Sequence, residues 1–249
     1  MKDRVYNDKI DIDYGKTLDF FEHRGDNKLL NTKYNYVLFQ DDSPEIAVKR
    51  DKEEKEKIGK SLSWSEGKKV LDIGCGIGRW GEYIVNKGLN YIGIDYSSKL
   101  LKIAQENLSK YEENVKLIHG SFQNFYKVIE NNNIDKKFDM IFINGVMMYI
   151  NDSDLKEGLE KIFDVCNKHC QLYFKESMAI EKRLTLKDFY SNSLTQNYTA
   201  IYRSIDEYKK LFDQFFVKKG FRVKERGSLF NVELQNRKET LDYYFIFER

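Results

Sequence analysis

From Lys68 onward the chain sets down short apolar runs that each end in Gly, Asp or Asn: KKVLDIG, NYIGID, VKLIHG and KFDMIFING. Between them lie GRWGEYIVNKG, SSKLLKIAQENLSKYEEN and the less regular QNFYKVIENNN. Leu100, Leu101, Ile103, Ala104 and Leu108 recur at helical spacing, with Ser97 and Ser98 placed to cap the helix start. A further helix over roughly Asp152 to Asn167 leads into QLYFKES, a fifth strand. Strand and helix alternating at this period predict βαβ units and a parallel sheet covered on both faces.

The flanks read differently. Residues 1–66 are polar and dotted with aromatics, and their pattern predicts helix. In AVKRDKEEKEKIGKSL the charges alternate in sign around a thin apolar stripe, which predicts a solvated surface helix. After Glu176 the alternation breaks, and residues 177–203 mix aromatics and hydroxyls without a clean period. A helix over Ile205–Lys219 follows, closed by Gly220, and then FRVKERGSLF and DYYFIFE read as strands of an antiparallel edge.

Composition narrows the class. The 249 residues are 41% hydrophobic and 33% charged, enough apolar matter for a core beneath a well-solvated surface. A net charge of +2 argues against a polyanionic partner such as nucleic acid. No stretch approaches the roughly 18 apolar residues of a membrane span, and the charged N-terminus has no secretory pattern. Three cysteines are too few for a disulfide framework, so the expectation is a reduced, cytoplasmic protein. The CNKHC cluster around His169 lacks a second ligand pair, and no metal is expected.

The chemistry concentrates in VLDIGCGIGRW, where a strand runs through Asp72 into Gly74, Gly76 and Gly78 and then into a helix. Glycines let the backbone turn tightly and let a ligand lie against it. A second strand ends at Asp95, where a carboxylate can accept hydrogen bonds from both ribose hydroxyls of a nucleoside cofactor. Gly76, Gly78 and Gly81 also match the dinucleotide pattern. Three features weigh against a dinucleotide. Asp72 would repel a pyrophosphate, Arg79 and Trp80 crowd the helix start, and little chain remains for a second catalytic domain.

This string resembles motif I of the class I S-adenosylmethionine-dependent methyltransferases, and YIGIDYS is similar to their acidic second motif. The resemblance implies a Rossmann-like α/β methyltransferase fold. Its mostly parallel seven-stranded sheet would carry helices on both faces and an antiparallel C-terminal hairpin, beneath a helical N-terminal lid. It implies one domain over residues 1–249, in which 1–66 form the lid and 67–176 the cofactor-binding half. Residues 177–215 would be a substrate-side insertion and helix, and 216–249 the hairpin. S-adenosylmethionine would be held by Asp72, Gly74, Cys75, Gly76, Gly78, Asp95, Tyr96, Ser121, Phe122 and Asn144. The third strand departs from the family, with Ser121 and Gln123 where many relatives place an acid near the adenine amine.

The reaction side is less specific. The [DN]-P-P-[YF] motif of base-amine methylation is absent, and Pro44 is the sole proline, so no Pro-Cys pair for pyrimidine methylation exists. His23, His119 and Tyr149 are the candidate catalytic groups, with a packing or surface role open for each histidine. The N-terminal segment adds Tyr14, Phe20, Phe21, Tyr34, Tyr36 and Gln40 as possible lid contacts. Arg24, Arg183, Tyr198, Tyr202 and Arg203 are the candidate substrate contacts, the arginines suited to a phosphate, phosphoramidate or carboxylate. Ordinary ion pairs to Glu181, Asp206 or Glu207 are the alternative for Arg183 and Arg203. YVLFQDDSPEIAVKRDKEEKEKI, RLTLKDFYSNSLTQNYTAIYRSIDEY and QNRKETLDYYFIFER are similar to small methyltransferases of bacterial capsule and surface-polysaccharide clusters. That resemblance implies O-methylation of a sugar or phosphoramidate-type intermediate by a monomer or homodimer. N-methylation of an amino sugar or small amine, drawing on Glu176 or the tyrosines, and a non-catalytic cofactor-binding partner remain the alternatives.

Overall fold

The structure is a computed structural model that describes residues 3–26, 34–39, 43–191, 194–235 and 237–249. Two sheets organise them. The larger comprises β2 (Lys69–Ile73), β3 (Asn90–Asp95), β4 (Val115–His119), β5 (Phe138–Asn144), β6 (Cys166–Ala179), β9 (Arg222–Ser228) and β10 (Thr240–Glu248), in the order β4-β3-β2-β5-β6-β10-β9. The first five strands run parallel, whereas β10 lies antiparallel between β6 and the edge strand β9. This is the expected methyltransferase sheet with its C-terminal hairpin. The central runs are apolar on both sides because helices cover both faces.

On one face lie α3 (Pro44–Ser61), α4 (Arg79–Val85) and α5 (Ser98–Leu108), which contribute Ile58, Trp80, Ile84 and Leu108 to one core. On the other face α6 (Phe125–Asn131), α7 (Asp152–Asp164) and α8 (Ile205–Phe215) bury Phe125, Ile129, Leu155, Leu159 and Phe212. Ser97 caps α5, its Oγ accepting from the Leu100 N–H at 3.1 Å. Ser204 and Glu207 close a reciprocal capping box on α8.

Two expectations from the flanks change. The N-terminal segment is not wholly helical: β1 (Arg4–Tyr6) precedes α1 (Tyr14–Asp26) and the short α2 (Asn35–Leu38). β1 pairs with β7 (Leu184–Ser191), which pairs with β8 (Gln196–Tyr202), so the aperiodic stretch after Glu176 is β-structure in a separate three-stranded antiparallel sheet. A register shift between Leu186 and Phe189 breaks the period-two alternation that would have announced it. The helix from Ile205 stops at Phe215, and a 3-10 turn over Val217–Lys219 leads to Gly220 at φ +100°. A third core, with Phe20, Met148, Tyr149, Leu186, Tyr198 and Tyr202, seats α1 and the small sheet over the carboxyl ends of the central strands.

The charged helix α3 corrects the solvated-face reading more sharply. Arg50, Asp51 and Glu54 are buried along it. Glu54 accepts from the Trp80 indole N–H at 3.2 Å and the Tyr173 hydroxyl at 2.8 Å, and Arg79 forms ion pairs with Asp51 and Glu54. Ile46, Arg50, Glu54 and Ile58 stand four apart, one above another on a single helix face, so charged residues share the buried stripe. Among the described residues no helix is long and apolar enough to cross a membrane.

Candidate active site

A cavity of about 660 Å³ opens at the carboxyl ends of β2, β3, β5 and β6, where the direction of strand connection reverses and ligands bind in open α/β sheets. Gly74 leaves β2 at φ +77°, its N–H donating to the Ile94 carbonyl at 2.7 Å. A Cβ there would stand 2.2 Å from Val146 Cγ2, and one on Gly76 would meet Val37 Cγ1 at 2.8 Å. Both positions therefore require glycine, and both line the cavity. Gly78 does not line it. At φ +72° it starts α4, facing Leu108 and Ala104.

Two buried carboxylates flank this loop. Asp95 accepts from the Gly76 N–H at 2.7 Å and the Ser97 N–H at 2.9 Å. Burial lifts its pKa to about 6 against the pull of those backbone donors. Asp72 accepts from the Tyr91 hydroxyl at 2.7 Å, and burial lifts it to about 7. Asn144 ends β5 with both amide atoms buried and unpaired, a donor and an acceptor left for a ligand. Cys75, Tyr96, Ser121, Phe122 and Gln123 complete this end. A glycine loop whose backbone borders the cavity, an acid at the second strand and an unpaired amide fit a nucleoside joined to an amino acid.

The expected histidines stand outside it. His119 is exposed, its Nε2 2.9 Å from the Tyr96 carbonyl, and His23 is exposed on α1. Neither lines the cavity. Tyr149 does, and burial pushes its hydroxyl pKa up, which makes it a donor and not a base. The arginines expected at the acceptor are also placed elsewhere. Arg183 grips Asp152 through both terminal nitrogens at 2.9 and 2.8 Å and reaches Glu207 at 3.1 Å. Arg203 pairs with Asp152 at 2.7 Å and donates to the Met147 and Ile150 carbonyls at 2.7 and 2.6 Å. Burial would raise the Asp152 pKa, but the two guanidiniums outweigh it and hold it at about 2. Both arginines thus brace the turn before α7. Arg24 is buried, donates to the Asn35 carbonyl and lies 5.1 Å from the ring centre of Phe39, which lines the cavity although Arg24 does not. Tyr198 and Tyr202 do line it, as do Tyr14, Phe20 and Phe21. Tyr34 and Tyr36 do not, and Gln40 lies outside the described residues.

The side of the cavity built by β6 and β10 holds residues the sequence did not announce. Lys175 and Ser177 share one face of β6 and meet Asp242 of the antiparallel β10. Asp242 accepts from Arg50 at 2.7 Å, Lys175 at 3.0 Å and Ser177 at 3.1 Å. Against the upward push of burial, Lys175 and Arg50 hold its carboxyl far below the usual range. Glu176 faces the other way, its carboxylate accepting from the backbone N–H groups of Val146, Met147 and Met148, and burial raises its pKa to about 7. It shapes the loop after β5 and does not line the cavity. Arg237, in the loop before β10, is a further addition, as are Glu233 and Gln235 of the same loop. The four-residue spacing on α3 was a usable signal for Arg50, whereas a lone arginine in a polar loop carries none.

Comparison with known proteins agrees with this architecture. The family profile described as a methyltransferase domain matches residues 70–169. A probable cobalt-precorrin-6B C(15)-methyltransferase (decarboxylating) from Saccharolobus solfataricus is 30% identical over 148 residues, covering 55% of this chain and 68% of that protein. A phosphoethanolamine N-methyltransferase from Triticum aestivum is 28% identical over 131 residues, covering 53% of this chain. The match spans only 25% of the length of that plant enzyme. Among solved structures, Haemonchus contortus phosphoethanolamine N-methyltransferase 1, in complex with phosphoethanolamine and S-adenosylhomocysteine, aligns with a TM-score of 0.67 at 17% identity. That alignment covers 95% of this chain and 50% of that one, a likeness of fold. The chain belongs to the class I S-adenosylmethionine-dependent methyltransferases, and S-adenosylmethionine is its cofactor.

Proposed function

We propose that the chain transfers a methyl group from S-adenosylmethionine to a small, polar, anionic acceptor. The observation that carries this is the side of the cavity built by β6 and β10, where Arg50 and Lys175 surround a single carboxylate, Asp242. Likeness in part of the chain to phosphoethanolamine N-methyltransferases supports the same substrate character. When bound, the cofactor supplies an electrophilic methyl group on a sulfonium. The chain's own work is to hold and to exclude. Asp95 accepts from the ribose hydroxyls, Asp72 and Asn144 face the amino-acid end, and Tyr96 with Ser121, Phe122 and Gln123 borders the adenine. In-line displacement depends chiefly on positioning and exclusion of water. Residues 1–66 and 177–215 serve in this reading as cover over one active site in a single domain.

The acceptor atom is oxygen in the leading reading, on a sugar or phosphoramidate-type intermediate of surface-polysaccharide assembly. A second reading, transfer to nitrogen, is favoured by the activity named for the plant relatives. The test is calorimetric titration with S-adenosylmethionine, then a screen for S-adenosylhomocysteine release with sugar phosphates, phosphoramidates, phosphoethanolamine and neutral sugars. Turnover confined to phosphorylated compounds is expected. Saturable NAD binding without S-adenosylmethionine binding would overturn the cofactor reading. Faster turnover of neutral sugars would overturn the acceptor class, and tight cofactor binding without turnover would point to a non-catalytic partner.

A further inference from the structure

Among the described residues, four cations line the main cavity: Arg50, Arg79, Lys175 and Arg237. Three are paired with carboxylates: Arg79 with Asp51 and Glu54, and Arg50 and Lys175 with the single Asp242. Arg237 differs. It has no ion pair among the described residues; its guanidinium donates to the Tyr198 hydroxyl and lies 5.5 Å from the centre of the Phe189 ring and 5.8 Å from that of Tyr198. A half-buried guanidinium held by aromatic faces and one neutral hydroxyl loses hydration without gaining a counter-charge. Most of its five N–H donors stay available.

Tyr198 is set up in the same direction. Its oxygen accepts from Arg237, and its own O–H is left to donate. Burial raises the pKa of this phenol, so that proton is retained. Tyr198 and Tyr202 line the same cavity, and Tyr149 closes it beside them in one apolar cluster.

We propose that Arg237 and Tyr198 form an oxyanion subsite that takes the phosphate-type group of the acceptor. The inference rests on the anionic-acceptor reading above and says where the charge is held. A guanidinium fork and a phenol O–H offer donors from separate directions, which suits a tetrahedral group carrying three acceptor oxygens. The Arg50–Lys175–Asp242 cluster, whose groups are engaged with one another, adds its one excess positive charge to the same cavity.

The experiment uses the full chain saturated with S-adenosylhomocysteine and titrated calorimetrically with inorganic phosphate, then with acetate. The wild type is expected to bind phosphate more tightly than acetate. Arg237→Gln should weaken phosphate binding by about tenfold or more, because a charge-assisted pair is lost. Arg237→Lys should recover part of it, and Tyr198→Phe should weaken it by several-fold with little change in melting temperature. S-adenosylhomocysteine affinity should stay within about twofold throughout, which excludes collapse of the site. Equal phosphate affinity in wild type and Arg237→Gln would overturn the subsite while leaving an anionic acceptor in place. Absence of phosphate binding in the wild type would overturn both readings, and tighter acetate binding would overturn the phosphate class.

Discussion

Replacing Asp242 with Asn tests the charge cluster at the acceptor end. The carboxylate is 3% exposed and bridges Arg50, itself 2% exposed, and Lys175. The amide keeps the shape, removes the charge and turns an N–H donor toward one of two cations. Breaking a buried pair from one side costs about 3–5 kcal/mol. At about 2–4 °C per kcal/mol for a chain of this size, the melting temperature should fall by roughly 6–20 °C. The pH dependence gives a second check. A carboxyl whose folded pKa is depressed adds stability that is fully present above its unfolded pKa and is lost as pH falls through the folded value. The gap between wild type and Asp242→Asn should therefore persist from pH 8 to 5 and begin to close only below about pH 4. With the carboxylate gone, inorganic phosphate should bind more tightly even as the fold weakens. Scanning calorimetry across pH and a phosphate titration measure these effects. A drop under about 2 °C, or a gap already closed at pH 6, would refute the reasoning.

Other outcomes follow from the same geometry. Asp95→Asn should weaken S-adenosylmethionine binding by about 1–3 kcal/mol. Wild-type affinity should fall as pH drops through about 6 and the carboxyl protonates, while the variant shows a flatter profile by calorimetry. Arg203→Met should lower the unfolding midpoint in urea, because Asp152 and two carbonyls lose their donor; a raised acceptor KM at unchanged stability would return Arg203 to the substrate site. Glu176, raised to about 7 by burial, makes the native state bind a proton that the unfolded chain releases between about pH 4.3 and 7. Stability from this group therefore falls as pH rises across that window, and Glu176→Gln should remove that part of the slope in denaturant titrations. Gly74→Ala should reduce cofactor affinity and stability together, since its φ of +77° and the 2.2 Å approach of Val146 Cγ2 leave no room for a methyl group.

Much of this protein is written in short stretches of sequence. The parallel strands, the glycine loop from Gly74 to Gly78, Asp95 at the end of β3 and the Ser97 cap follow from spacing and residue type within a few positions. Strand period, positive φ and capping are local properties of the backbone, so neighbouring residues determine them. The departures are long-range. Arg183 and Arg203 look like substrate ligands among tyrosines until Asp152, 31 and 51 positions away, takes them as structural braces. Arg50 looks solvated until β10 brings Asp242 to it across 192 positions. Arg237 is an ordinary loop arginine until β8 places Tyr198 against it and, among the described residues, no carboxylate pairs with it. A charged side chain's role depends on which counter-charge and how much water reach it, and those are set only when distant segments dock. The sequence by itself determined a methyltransferase fold and its cofactor loop. Only the tertiary structure decided which cations are paired inside the fold and which, among the described residues, line the cavity without an ion pair.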